Sequence, residues 1–246
     1  NFTGKTDNML ANMREAARYG KKHGAEGFLN TEWGDGGSAQ SFVSSVYGFA
    51  AAGACAWNGD GFDGEAVERW LDARVYFNPI AVTVADLGRY VNCQEQPVKG
   101  LTFLFSALYV RQTDGINRDR NNYSDPAAFF WRDELLTKRE CDKTAAFLDG
   151  VRARFERSEK DENNIYVRET RYCLDVLDWA LAHMRLCLDL KNLRDTPEQI
   201  RAALALGEKC VKKREALWFE RNKKSDYALS SYRYKALLKK YESLLD

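Results

Sequence analysis

The stretch Asn30-Thr31-Glu32-Trp33-Gly34-Asp35-Gly36-Gly37 brings an indole, two carboxylates and three glycines into eight positions. An aromatic plate beside an acceptor carboxylate suits a sugar. The apolar face of a pyranose packs on the indole, and its hydroxyls donate to the carboxylate. If Gly27 to Trp33 is an extended strand, alternation sets Glu32 on the face opposite Trp33. Asp35 then lies past the strand end, where it can reach into a pocket. The glycines at 34, 36 and 37 permit positive φ and close approach of a ligand to the backbone. The same residues also fit a purely architectural role, with Trp33 buried and Asp35 capping a turn or the next helix.

The flanking elements are legible from periodicity. Residues after Thr6 or Asp7, either of which could cap a helix, carry Met9, Met13, Ala16 and Ala17 on one side, and Gly24 follows as a stop. Gln40 to about Trp57 again reads as helical. Its Gly48, Ala50, Ala51, Ala52, Gly53 and Ala54 are small enough to sit close against a sheet. Helix, strand, helix with short joints is the grammar of a parallel α/β fold. The turn Asn58 to Gly64 resembles a calcium loop only superficially. It lacks a glycine at Asp63 and an acid at Arg69, and Asp63 reads as a helix cap.

Beyond residue 64 no strand alternation appears. Helices are predicted near 64–76, 80–92, 97–112, 126–158, 163–192, 197–222 and 227–244. Three stripes mark the late ones: Leu174, Leu177, Leu181, Met184 and Leu188; Ile200, Leu204, Val211 and Trp218; Leu229, Tyr232, Ala236 and Leu244. Such stripes are seams between antiparallel helices. The fold class expected is mainly α.

Composition narrows the function classes. The chain has 246 residues, 45% of them hydrophobic, and a net charge of +1, so it carries a real core and no global pull toward nucleic acid or membrane. It has only four prolines, which leaves room for long helices. No apolar run is long enough to span a bilayer. Residues 197–246 hold 12 Lys and Arg against 7 Asp and Glu, which reads as a solvated helix face because no nucleic-acid motif accompanies it. Cys55, Cys93, Cys141, Cys173, Cys187 and Cys210 are scattered, without a CxxC pair, and only His23 and His183 could join them. Buried reduced thiols are the expectation, with a reducing compartment, and no metal or cofactor is expected.

Residues 7–58 resemble the final barrel segment of the family 20 glycoside hydrolases, the β-N-acetylhexosaminidases. The likeness lies in Thr31 to Gly37, in the helix running from Asp7-Asn8-Met9 to Ala25-Glu26-Gly27, and in the Ala-rich helix ending Ala56-Trp57-Asn58. Leu217 to Lys223, followed by Ser230, is similar to the helical tail of a bacterial subgroup. The resemblance implies residues 1–59 as the closing helix–strand–helix of a (β/α)8 barrel and residues 60–246 as a helical C-terminal domain. It implies hydrolysis of a terminal N-acetylhexosamine from a glycan with retention, the substrate's own acetamido oxygen acting as nucleophile. Trp33 would be the sugar-packing indole and Asp35 the carboxylate that accepts from sugar hydroxyls. Many relatives carry Glu at the place of Asp35 and His at that of Ser38.

The family's catalytic Asp-Glu pair ends an earlier strand in a glycine-rich context. Neither Asp133-Glu134 nor Asp161-Glu162 has that context, so no catalytic residue is assigned in this chain. A whole barrel needs about 250 residues, and one strand is legible here. The expectation is therefore a C-terminal piece, inactive alone, whose bare 27–33 strand is covered by self-association (a homodimer being one form), rearranged or poorly ordered. The alternative is a non-enzymatic helical module that binds carbohydrate or a partner.

Overall fold

A computed structural model describes residues 1–34, 37–95, 100–109, 136–189 and 195–246. Among them the chain is mainly helical, and none of them forms a strand. The helices are α1 (Thr6–Lys22), α2 (Phe42–Asn58), α3 (Gly64–Leu71), α4 (Ala81–Leu87), α5 (Phe103–Leu108), α6 (Lys138–Arg157), α7 (Ile165–Leu188), α8 (Pro197–Arg221) and α9 (Tyr227–Leu245). A 3₁₀ turn follows α2 at Gly59–Gly61, a π turn extends α3 through Asp72–Tyr76, and another 3₁₀ turn spans Tyr90–Cys93.

Local chemistry starts several of these helices. Asp63 caps α3, its Oδ1 accepting from the Ala66 amide at 3.2 Å. Thr137 and Glu140 form a reciprocal capping box on α6. Asn164 accepts from the Tyr166 and Val167 amides at the start of α7, and Pro197 opens α8.

Helix α7 lies at the centre, packed by α5, α6 and α8 and more lightly by α2 and α4; α9 covers α8. Trp179 of α7 is fully buried, its ring 5.4 Å from that of Tyr234 on α9. Gly207 lets α8 close onto this indole. A Cβ there would lie under 3.0 Å from Trp179 and Leu238 side-chain atoms. Val43 and Tyr47 of α2 join the same hydrophobic core as the later helices.

Several expectations are corrected. The strand over 27–33 does not form: Gly27 to Trp33 is irregular, with Leu29 87% and Trp33 78% exposed. A strand needs a neighbour to take its N–H and C=O groups, and none of the described residues supplies one. The helix–strand–helix over 1–59 is thus two helices, α1 packed on α2, joined by irregular chain. Neither Thr6 nor Asp7 caps α1. Thr6 Oγ1 donates instead to the Ala85 carbonyl, and Asp7 accepts from Arg89 and Asn92. The 80–92 helix is broken into α4 and the 3₁₀ turn after it.

The expected helix near 97–112 is α5 alone among the described residues, and residues 126–135 of the next one, with Asp133 and Glu134, lie outside them. Five of the six cysteines are buried and Cys93 is half-buried, all as free thiols. The first late stripe is buried except for Leu188. The third is displaced. Leu229 is 53% exposed, and α9 buries Tyr227, Ser230, Ser231, Tyr234, Leu237 and Tyr241.

Candidate functional site

Residues before and after positions 35 and 36 meet the helical tail in a cleft of about 450 Å³. Glu32, Gly34 and Ser38 line one side; Glu169 and Tyr172 of α7 and Arg214, Trp218 and Arg221 of α8 line the other. Of the two residues expected to bind sugar, Trp33 stands outside the cleft. Its indole is exposed, and Nε1 donates to Thr31 Oγ1 at 3.1 Å. Asp35 lies outside the described residues. The structure therefore brings the neighbours of Trp33 to the cleft but leaves the indole turned to solvent.

Two arginines one heptad apart on α8 form the floor. Arg221 donates through Nε and Nη2 to the Glu169 carboxylate, at 3.1 Å for each bond. Its guanidinium also lies over the Tyr166 and Phe42 rings, at 4.5 and 5.2 Å. Glu169 Oε2 accepts from the Val43 amide at 3.1 Å, so this one carboxylate also satisfies the start of α2, where Ser41 makes no side-chain cap.

Arg214 is buried and donates to neutral oxygens: the Ser38 carbonyl at 2.5 Å, the Ala39 carbonyl at 3.4 Å and Ser230 Oγ at 2.7 and 3.2 Å. Burial acts to lower its pKa, but the phenols of Tyr172, Tyr234 and Tyr109 outweigh that and hold it above the usual arginine value. The cleft thus pairs a fixed cation and a neutralised ion pair with the indole of Trp218, whose ring lies 5.5 Å from the Arg214 guanidinium.

Neither Glu169 nor the internal role of Arg214 was visible as a site in the sequence. Arg214 and Arg221 read as part of the solvated basic tail. The available signal was the series Ile200, Ala203, Gly207, Cys210, Arg214 and Leu217, spaced three and four apart and buried in the fold. Part of the basic excess is consumed nearby. Lys209 and Lys213 both donate to the buried Asp175 carboxylate.

No group of His, Cys, Asp and Glu among the described residues could hold a metal ion. His183 is fully buried, with Nδ1 2.8 Å from Tyr241 Oη and Nε2 3.5 Å from Cys187 Sγ. Burial pushes its pKa down to about 3 and raises the thiols of Cys173 and Cys210 to about 12. Thiols of that kind are structural rather than nucleophilic. None of the described helices is long and apolar enough to cross a membrane. Compared with known proteins, the chain matches no family model, no curated protein and no solved structure.

Proposed function

We propose that this chain supplies the closing barrel segment and the helical C-terminal domain of a retaining exo-β-N-acetylhexosaminidase. The observation that carries the reading is the uncovered face of α2. Over its 17 residues, Phe42–Asn58, the helix has no charged side chain. One side packs into the core. The other presents Phe42 at 43%, Phe49 at 41% and Trp57 at 91% exposure, and a Cβ added at Gly53 would meet nothing. Exposed positions 42, 49, 53, 56 and 57 form one stripe at helical spacing. A charge-free helix with small residues along an open face is built to lie against a sheet. The irregular, exposed 27–34 stretch is what the preceding strand becomes without its neighbours.

In this reading the sheet is the rest of a barrel. The segment 27–33 pairs as its last strand, Trp33 packs on the sugar, and Asp35 accepts from its hydroxyls. The general acid and the residue that orients the acetamido group stand on an earlier strand. The glycan substrate ends in an N-acetylhexosamine, and the 246-residue chain alone does not turn it over. Alone, the open α2 face drives self-association.

The test is the complete coding sequence of the gene. The reading expects an Asp-Glu pair in a glycine-rich strand context upstream, and expects the full product to hydrolyse a chromogenic N-acetylglucosaminide. A full-length product without that pair, folded and inactive on such substrates, overturns it.

A further inference from the structure

The outward face of α2 carries a seam. Phe42, Val46, Phe49, Gly53 and Ala56 follow one another at steps of four, three, four and three. Phe42, Phe49, Gly53 and Ala56 are exposed and Val46 is half-buried. The core-facing Val43, Tyr47, Ala51 and Cys55 step by four throughout. Alternating steps of three and four keep a stripe facing one partner where two helices cross at about 20°, the knobs of one entering the holes of the other. A second helix therefore fits this stripe. No residue of α2 is charged, so a second α2 brings no repulsion and strands no charge in the contact.

The sizes along the seam decide how two copies lie. In a parallel pair in register, Phe49 would meet Phe49 and Gly53 would meet Gly53, a clash beside a void. Turned antiparallel about a two-fold axis at the level of Ala51, Phe49 faces the partner's Gly53 and Val46 faces the partner's Ala56. Each contact then occurs twice, as a two-fold interface requires. Gly53 has room for the ring, because a Cβ added there meets nothing within 4 Å. Trp57, 91% exposed beside the seam, extends the contact at each end. With Phe42 at 43% and Phe49 at 41%, the three rings leave about 350 Å² of aromatic surface open per copy. Doubled, and joined by Val46, Gly53 and Ala56, that approaches the about 1,000 Å² at which specific interfaces begin.

We infer that the 246-residue chain pairs with a second copy of itself through α2, antiparallel, as a weak closed dimer. The inference rests on the same uncovered face as the barrel reading, but not on any enzymatic activity. The two occupants exclude each other: a sheet lying on α2 leaves no place for a second copy.

Sedimentation equilibrium of the 246-residue chain between about 2 and about 200 µM tests it. The expected result is a monomer–dimer equilibrium with Kd of about 10–100 µM and nothing larger. Gly53→Arg puts a charge into the seam from a position open to solvent in the monomer, and is expected to weaken the dimer about tenfold or more while circular dichroism stays unchanged. Ala56→Arg does the same from a second exposed position should the first variant fail to fold. The antiparallel register has its own test. Gly53→Leu fills the hole and is expected to weaken the dimer, and adding Phe49→Ala to the same chain is expected to restore it, because residue 49 of one copy faces residue 53 of the other.

A monomer across the whole range overturns the dimer. Growth beyond two copies overturns the closed two-fold pairing. A dimer that persists in folded Gly53→Arg or Ala56→Arg chains overturns α2 as its surface, and failure of Phe49→Ala to rescue Gly53→Leu overturns the register. The hexosaminidase reading is decided separately, by the coding sequence, so its failure and that of the dimer are told apart.

Discussion

Arg221, at the end of α8, and Glu169, in the second turn of α7, form a two-pronged ion pair whose carboxylate also accepts the Val43 amide of α2. Two consecutive helices and the distant start of α2 thus meet at one carboxyl group. Removing the acid in Glu169→Ala leaves a partly buried guanidinium and an uncapped helix start. Loss of one partner of a fully buried pair costs about 3–5 kcal/mol. Arg221 keeps 23% of its side chain exposed, so solvent screening brings the expected loss to the lower end of that range, about 3 kcal/mol. Urea denaturation measures it. The double change Glu169→Leu with Arg221→Met is expected to recover most of the loss, because no charge is then left unpaired.

His183 gives the fold a pH dependence whose sign follows from burial. Its folded pKa, about 3, is below the ordinary value of 6.5, so the unfolded chain binds a proton that the folded chain refuses. Stability from this group is complete above pH 6.5 and falls as pH drops toward 3, the slope approaching about 1.4 kcal/mol per pH unit. Carboxylates add their own dependence below pH 5, so the clean window is pH 5–6.5. There the slope of unfolding free energy is expected to flatten in His183→Gln. In the wild-type NMR spectrum the His183 ring signals should stay constant from pH 8 to pH 5. A His183 signal that titrates near 6.5 would contradict the buried neutral ring.

Two glycines should respond oppositely to the same substitution. Gly207→Ala forces a methyl against Trp179 and Leu238; overpacking of this kind costs about 1–3 kcal/mol. Gly53→Ala points into open space on α2, where the helix propensity gain is about 0.8–1 kcal/mol. Chemical denaturation of the 246-residue chain should show the first loss and the second gain. If α2 lies on a barrel sheet in the full-length product, Gly53→Ala there is expected to lose stability instead. A gain in both settings would argue that nothing covers this face.

The helical half was legible in the sequence because its signals are local. Asp63 before α3, Pro197 at the head of α8, and the Leu174–Met184 seam each depend on residues within a turn or two of themselves. The failures are tertiary. Thr6 was a sound cap by type, but the Ala85 carbonyl competes for its hydroxyl. Periodicity draws the α9 stripe through Leu229 and Leu244, whereas tyrosines and serines with Arg233 and Leu237 fill the inner face, Tyr234 beside Trp179 and Tyr241 beside His183. Arg214 was hidden by its charge. A buried arginine is foreseen only once the carbonyls it will serve are known, and those come from residues 175 and 176 positions earlier. The strand over 27–33 rests on a short run bounded by glycines, and such a local signal cannot supply a partner strand.

The sugar-binding roles proposed for Trp33 and Asp35 are tested in the longer enzyme that the hexosaminidase reading expects. If Asp35 accepts from sugar hydroxyls, each charge-assisted bond contributes about 1.5–3 kcal/mol. Asp35→Ala is then expected to lower kcat/KM by roughly one to two orders of magnitude. Trp33→Ala should cost a comparable factor by removing the packing plate, and Trp33→Phe less, since a smaller ring remains. The indole is 78% exposed here, so its substitution should leave the stability of the 246-residue chain nearly unchanged. That separates a binding role from an architectural one. An architectural Trp33 would lower thermal stability, and activity per folded molecule would survive. The deciding comparison is kinetics on folded protein across sugars that differ only at the 4- or 6-hydroxyl. If Asp35→Ala loses the same factor on a deoxy sugar as on its parent, Asp35 does not read that hydroxyl, and its assignment to the sugar site fails.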